Sequence, residues 1–123
     1  MMIGRDWKAE FEGRTAWIRG LVRDSGVRGI IFGNSGGKDS ALTGILCKAA
    51  CENTVGVIMP CASRRNYGED ADDGRALAEQ FGIETRMVDL TPVREALVAQ
   101  LDGTDHDALI THEKYEELEK RFG

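Results

Sequence analysis

No stretch constrains this chain more than Gly33-Asn34-Ser35-Gly36-Gly37-Lys38-Asp39-Ser40. An apolar run, Gly29-Ile30-Ile31-Phe32, precedes it, and Leu42, Ile45, Leu46 and Ala49 follow at helical spacing. The run before it reads as a short buried strand, the segment after it as a helix, and the glycines as the turn between them. Such a turn presents bare backbone N–H groups at the positive end of a helix, a place suited to phosphate. Gly36 and Gly37 have no Cβ, so the chain can turn tightly and a ligand can approach the backbone. Ser35 and Ser40 add hydroxyls, and Lys38 adds a cation that can reach phosphate oxygens. Asp39 would repel phosphate unless a cation lay between them. A magnesium ion carried with ATP resolves that conflict, with Asp39 as an oxygen ligand.

Competing nucleotide motifs fail at named positions. A Walker A loop needs glycine where Phe32 stands and Ser or Thr where Asp39 stands. The dinucleotide pattern G-x-G-x-x-G is absent as well. A glycine-rich helix entry without a ligand is the other reading, but ordinary capping does not call for two glycines, a lysine and an aspartate together. S-G-G-x-D-S after a strand resembles the pyrophosphatase loop of the N-type ATP pyrophosphatases, which cleave ATP between its α- and β-phosphates.

At 123 residues the chain has the length of one domain with a modest core. Its net charge of −5 argues against a general nucleic-acid binder, whose footprint is basic. No apolar run approaches a membrane span, and the start, with Arg5, Asp6, Lys8 and Glu10, lacks the apolar core of a signal peptide. A cytoplasmic location is the expectation, with no membrane and no nucleic acid as partner. Cys47, Cys51 and Cys61 read as reduced thiols. They could hold an iron–sulfur cluster or zinc, but no familiar ligand spacing is present, and packing of small side chains is the simpler reading.

Along the chain, residues 5–25 read as a helix with Trp7, Phe11, Ile18 and Val22 as its stripe, widened by Trp17 and Leu21. The tryptophans could face a partner; packing against a sheet is the expectation. Strands are predicted over 28–33, 54–59 and 85–89. Helices are predicted from the glycine turn to Cys51, over 67–81 with Leu77, Ala78 and Phe81 inward, from Thr91 with Val93, Ala96, Leu97 and Leu101 inward, and over 111–122 with Tyr115, Leu118 and Phe122 inward. Cys61 to Asn66 reads as a polar loop whose Arg64 and Arg65 could meet phosphates. Asp70, Asp72 and Asp73 read as a solvated helix start, and His106 and His112 as surface residues. The alternation predicts a parallel sheet with helices on both faces, and ligands of such sheets bind beyond the carboxyl ends of the strands.

A second resemblance narrows the choice. Val55-Gly56-Val57-Ile58-Met59-Pro60-Cys61, then Glu69-Asp70-Ala71, Phe81-Gly82-Ile83 and Val88-Asp89-Leu90-Thr91-Pro92, resemble the ammonia-dependent NAD synthetases over about residues 29–97. The resemblance implies a three-layer α/β/α, Rossmann-like fold of the adenine nucleotide alpha hydrolase (HUP) type, truncated. It implies a single ATP-pyrophosphatase domain over 1–123, with 103–123 a charged tail or the start of a missing half. The implied reaction is ATP-dependent amidation of deamido-NAD with ammonia, through an adenylated carboxylate, giving NAD, AMP and pyrophosphate. Gly33, Asn34, Ser35, Gly36, Gly37, Lys38, Asp39 and Ser40 would bind the phosphates, Ile58 and Met59 the adenine, and Asp39 the magnesium; Lys38 and Asp39 are the catalytic candidates. Lys38 departs from the family's usual uncharged residue. The resemblance also implies a homodimer. The first strand, central in the family, would here be an edge. The sequence therefore predicts a fragment, or an edge covered by another chain. The alternatives are a nucleotide-binding module without ligase activity and a tRNA-modifying ATP pyrophosphatase.

Overall fold

The computed structural model describes residues 4–61, 68–101 and 112–122, with the side chains of 112–115 excepted. It divides into two compact units, Met1–Leu90 and Thr91–Gly123.

The first unit opens with α1 (Trp7–Ser25). Asp6 caps it by accepting from the Ala9 N–H at 3.1 Å. Gly26, at φ 69°, ends it in the left-handed conformation. β1 (Ile30–Gly33), α2 (Lys38–Ala50), β2 (Thr54–Ile58), α3 (Glu69–Phe81) and β3 (Glu84–Met87) follow. The strands are parallel in the order β1-β2-β3, with Phe32 opposite Gly56 and Ile58 opposite Met87. β1 is thus an edge of the described sheet, as expected. β2 stops at Ile58, and β3 begins at Glu84, one residue before the predicted Thr85. Val88 and Asp89 fall outside β3, although backbone bonds from Val88 to Ile58 and from Leu90 to Pro60, both 2.9 Å, prolong the pairing. Pro60 cannot donate, yet its carbonyl accepts.

Within this unit the two helices that connect the strands lie on one face of the sheet. Right-handed crossovers that add each strand on the same side put their helices on one face. α2 and α3 both pack there, over Phe32, Ile58 and Ile83. The contacts are close because the helices are small-sided at the seam. A Cβ on Gly44 of α2 would enter the Phe32 ring, 2.6 Å from Cε2, and one on Gly74 of α3 would lie 3.1 Å from Ile58 Cδ1. The buried residues of α2 are Gly44 and Cys47, and those of α3 are Ala71, Gly74 and Ala78. Of the predicted stripes Ala78 is buried, as expected, and Ile45, Leu46 and Leu77 are half-buried, but Leu42 is 56% exposed and Ala49 and Phe81 are exposed. α1 packs chiefly on α2 rather than on the sheet, with Arg19 donating to the Ala49 carbonyl at 3.3 Å. Its one buried residue is Thr15, while Trp7 and Trp17 are exposed.

The second unit holds α4 (Thr91–Gln100) and α5 (His112–Phe122). Val93, Ala96, Leu97, Leu101, Leu118 and Phe122, predicted inward, are all exposed. The Tyr115 and His112 side chains, the 102–107 loop with His106, and Arg64 and Arg65 lie outside the described residues. Among the described residues no helix is long and apolar enough to cross a membrane.

Candidate phosphate loop at the end of the first strand

The loop begins where β1 runs out. The Asn34 N–H donates to the Val57 carbonyl at 2.8 Å, one step beyond the strand, and its side chain turns inward. The next residues bond to one another. Ser35 N–H donates to Ser40 Oγ at 3.2 Å, Gly37 N–H to Ser35 Oγ at 3.2 Å, and Gly36 N–H to Asn34 Oδ1 at 3.4 Å. The Ser35 and Ser40 hydroxyls are 3.0 Å apart, and Ser40 Oγ donates to the Gly37 carbonyl at 3.2 Å. If the Ser35 hydroxyl donates to Ser40, every donor in this ring has one acceptor.

The bare amides expected at Ser35 to Lys38 therefore need correction. Three of the four are held by side chains of the loop, at long distances and by groups that can rotate. The open amides come one turn later. α2 has Gly37 as N-cap, which offers no side chain, so among the described residues the N–H groups of Lys38, Asp39 and Ser40 have no capping partner. They point along the positive end of a 13-residue helix.

Gly36 is required twice over. Its φ is +83°, and a Cβ there would stand 2.5 Å from the Asp70 carbonyl oxygen. The loop and the first turn of α3 thus meet backbone to backbone. Between them and the end of β2 is a cleft of about 210 Å³ lined by Asn34, Ser35, Ile58, Met59, Pro60 and Asp70.

Ile58 and Met59 line this cleft together with Asn34 and Ser35. Asn34, expected to bind the ligand, is turned inward and only 2% exposed. Lys38 and Asp39 are exposed on the first turn of α2, outside the cleft lining, and among the described residues neither forms an ion pair. Asp70 belongs to the cleft, while Asp72 and Asp73 are exposed. The described residues contain no cluster of three or more His, Cys, Asp or Glu side chains arranged for a metal. Cys47 is buried; burial, and to a lesser degree the neighbouring Cys51, push its thiol pKa up. Asn34 as an internal anchor and Asp70 as part of the cleft were not anticipated. The signal for Asn34 was its place two residues after Phe32, which puts it on the inward face of the strand.

A family model described as NAD synthase matches residues 10–117. The chain belongs to the NAD synthase family. It is 38% identical over 92 residues to the NH(3)-dependent NAD(+) synthetase of Finegoldia magna, covering 74% of this chain and 37% of that protein. The NH3-dependent NAD synthetase of Campylobacter jejuni, solved with a nitrate ion, superimposes with a TM-score of 0.71 at 29% identity, over 85% of this chain and 45% of the other. The glutamine-dependent NAD+ synthetase of Acinetobacter baumannii, solved in complex with ADP, gives a TM-score of 0.66 at 27% identity, over 74% of this chain and 17% of the other. The three-layer α/β, HUP-type fold expected from the sequence is that of these NAD synthetases. The chain spans about two fifths of the length of the curated relatives it matches, 37% and 42% in two of them.

Proposed function

We propose that this chain is the ATP-binding part of an ammonia-dependent NAD synthetase. The observation that carries the reading is the set of open amides at Lys38, Asp39 and Ser40, standing at the carboxyl end of β1 next to a cleft bounded by Ile58 and Met59. In a parallel α/β sheet that is where a nucleotide binds. The adenine lies against Ile58 and Met59, and the triphosphate runs toward the start of α2. There the amides and the Lys38 ammonium offset the charge of the departing pyrophosphate. The nicotinate carboxylate of deamido-NAD attacks the α-phosphorus, and the bond to the β-phosphate oxygen breaks with its electrons on pyrophosphate. Ammonia then attacks the carbonyl carbon, the bond from that carbon to the phosphate oxygen breaks with its electrons on AMP, and the nitrogen loses a proton to give the amide.

Asp39 fits a magnesium ion on the chemistry of its donor set. One carboxylate, with phosphate oxygens and waters completing the shell, is a common way to hold magnesium with a nucleotide. Bound there, the ion would supply charge neutralisation to the phosphates. Assembly as a homodimer and a cytoplasmic location belong to the same reading. A second reading is a module that binds ATP without turnover.

Calorimetric titration with ATP, with and without magnesium, tests the site. Binding should need magnesium and should weaken at least tenfold in D39N, on the order of one lost charge-assisted contact. Equal binding by D39N, or none by the parent chain, refutes the assignment. Pyrophosphate release on adding deamido-NAD, ATP and ammonia separates the synthetase from the module.

A further inference from the structure

Asn34 uses both ends of its carboxamide inside the protein. Nδ2 donates to the Gly74 carbonyl in the middle of α3 at 2.9 Å, and Oδ1 accepts from the Gly36 N–H at 3.4 Å. Its own backbone N–H bonds to β2. A single residue thereby ties β1, β2, the loop and α3 together. At 2% exposure it has almost no surface to offer a ligand. α3 admits the carboxamide because position 74 carries no side chain: a Cβ there would lie 3.3 Å from both Cγ and Nδ2 of Asn34. The second fastening is the close approach of Gly36 to the Asp70 carbonyl. Both fastenings run from the loop to α3, in addition to the ring that ties the loop to α2 through Ser40.

We infer that Asn34 is a positioning residue for the phosphate loop, coupling its backbone to α3 through the Gly74 carbonyl so that the loop is ordered for ATP before ATP arrives. The inference rests on the phosphate-binding reading above. An unmade buried hydrogen bond costs about as much as a tenfold change in affinity or more, and an ordered loop spares the ligand the cost of ordering it.

The N34D variant replaces the donor by an oxygen of nearly the same size and position. Ionised, that oxygen repels the Gly74 carbonyl; protonated, it donates to it, as Nδ2 does. The variant should therefore bind magnesium ATP about tenfold or more weakly at pH 8 and recover as the pH falls toward about 5, where a buried carboxyl keeps its proton. The parent chain, measured over the same range, corrects for the titration of ATP itself. N34L should lose affinity without that recovery. So should G74A, which displaces the carboxamide while favouring the helix; it carries the test if N34D does not fold. Amide hydrogen exchange at Gly36, read without nucleotide at a single pH, should be slow in the parent and faster in all three variants. A folded N34D that binds like the parent at pH 8, or shows no recovery at low pH, overturns the inference. If the parent itself binds no ATP, the phosphate reading fails, and the exchange at Gly36 still decides the role of Asn34: unchanged exchange in N34D overturns it.

Discussion

Replacing Gly36 by alanine separates two penalties that most substitutions confound. The first is conformational. At φ +83° an L side chain clashes with its own backbone, at about 1–2 kcal/mol. The second is a contact. The new Cβ would stand 2.5 Å from the Asp70 carbonyl oxygen and 3.2 Å from the Asp70 carbonyl carbon and Cα. These are backbone atoms of a helix's first turn, so they cannot rotate away as a side chain would. Overpacking of this kind costs about 1–3 kcal/mol. Together the loss should be about 2–5 kcal/mol. Gly26 is the internal control. It sits at φ +69° with nothing within 4 Å of its would-be Cβ, so G26A pays only the first penalty, about 1–2 kcal/mol.

Urea unfolding of the parent, G26A and G36A measures the difference, which should be about 1–3 kcal/mol. A loop that lifted off α3 to relieve the contact would keep the midpoint near that of G26A but lose affinity for magnesium ATP. The refuting result is G36A matching G26A in both unfolding midpoint and ATP binding. The loop and α3 would then not be in backbone contact, and the architecture of the site would be wrong.

G44A should destabilise the chain by about 1–2 kcal/mol, because the clash with the Phe32 ring outweighs the roughly 1 kcal/mol that alanine gains in a helix; a stability equal to the parent's in urea would refute the packing, and adding F32L should relieve the clash. Thr54 is buried, its hydroxyl 2.7 Å from the Cys51 carbonyl and 3.1 Å from that of Cys47, so T54V should cost about 1–2 kcal/mol in the same assay. Cys47 should react with a thiol reagent after Cys51 and Cys61, since it alone is buried. Its raised pKa means the folded chain keeps the thiol proton longer than the unfolded chain. Stability from this group is therefore full below the ordinary value of 9.0 and falls as pH rises above it, a slope that C47A should remove.

The elements were legible because their signals are local. An apolar run before S-G-G-x-D-S, another before Pro60, and glycines at 26 and 82 mark two strands and two helix ends, and all are present. Which side of each helix faces the core was legible only in part, at Ala78 on α3. Periodicity reports where large apolar residues recur, whereas the seams here are built from small ones, Gly44 and Cys47 on α2 and Ala71, Gly74 and Ala78 on α3. Small residues let Phe32 and Ile58 fill the space from the sheet side, so the bulk sits on the strands. Leu42 and Trp7 were assigned inward for their size, and they are exposed. The candidate site shows the same division. Its chemistry could be read from residue types, but the partners of its amides depend on rotamers of Ser35, Ser40 and Asn34 that no sequence pattern specifies.

The internal bonding of the loop also bears on how the proposed site would treat a phosphate. A loop with every amide open would be solvated and mobile, and a ligand would have to order it. Here the ring through Ser35, Gly37 and Ser40 holds the turn, and in the proposed site the amides of the first turn of α2 would meet the anion. Adjacent positions on a helix point in different directions, about 100° apart. Lys38 and Asp39 can therefore address different parts of one ligand without neutralising each other, the ammonium reaching bare phosphate oxygens and the carboxylate a metal held by others. An aspartate next to a lysine at a phosphate site looked contradictory in sequence. On the first turn of a helix, the two are directed apart.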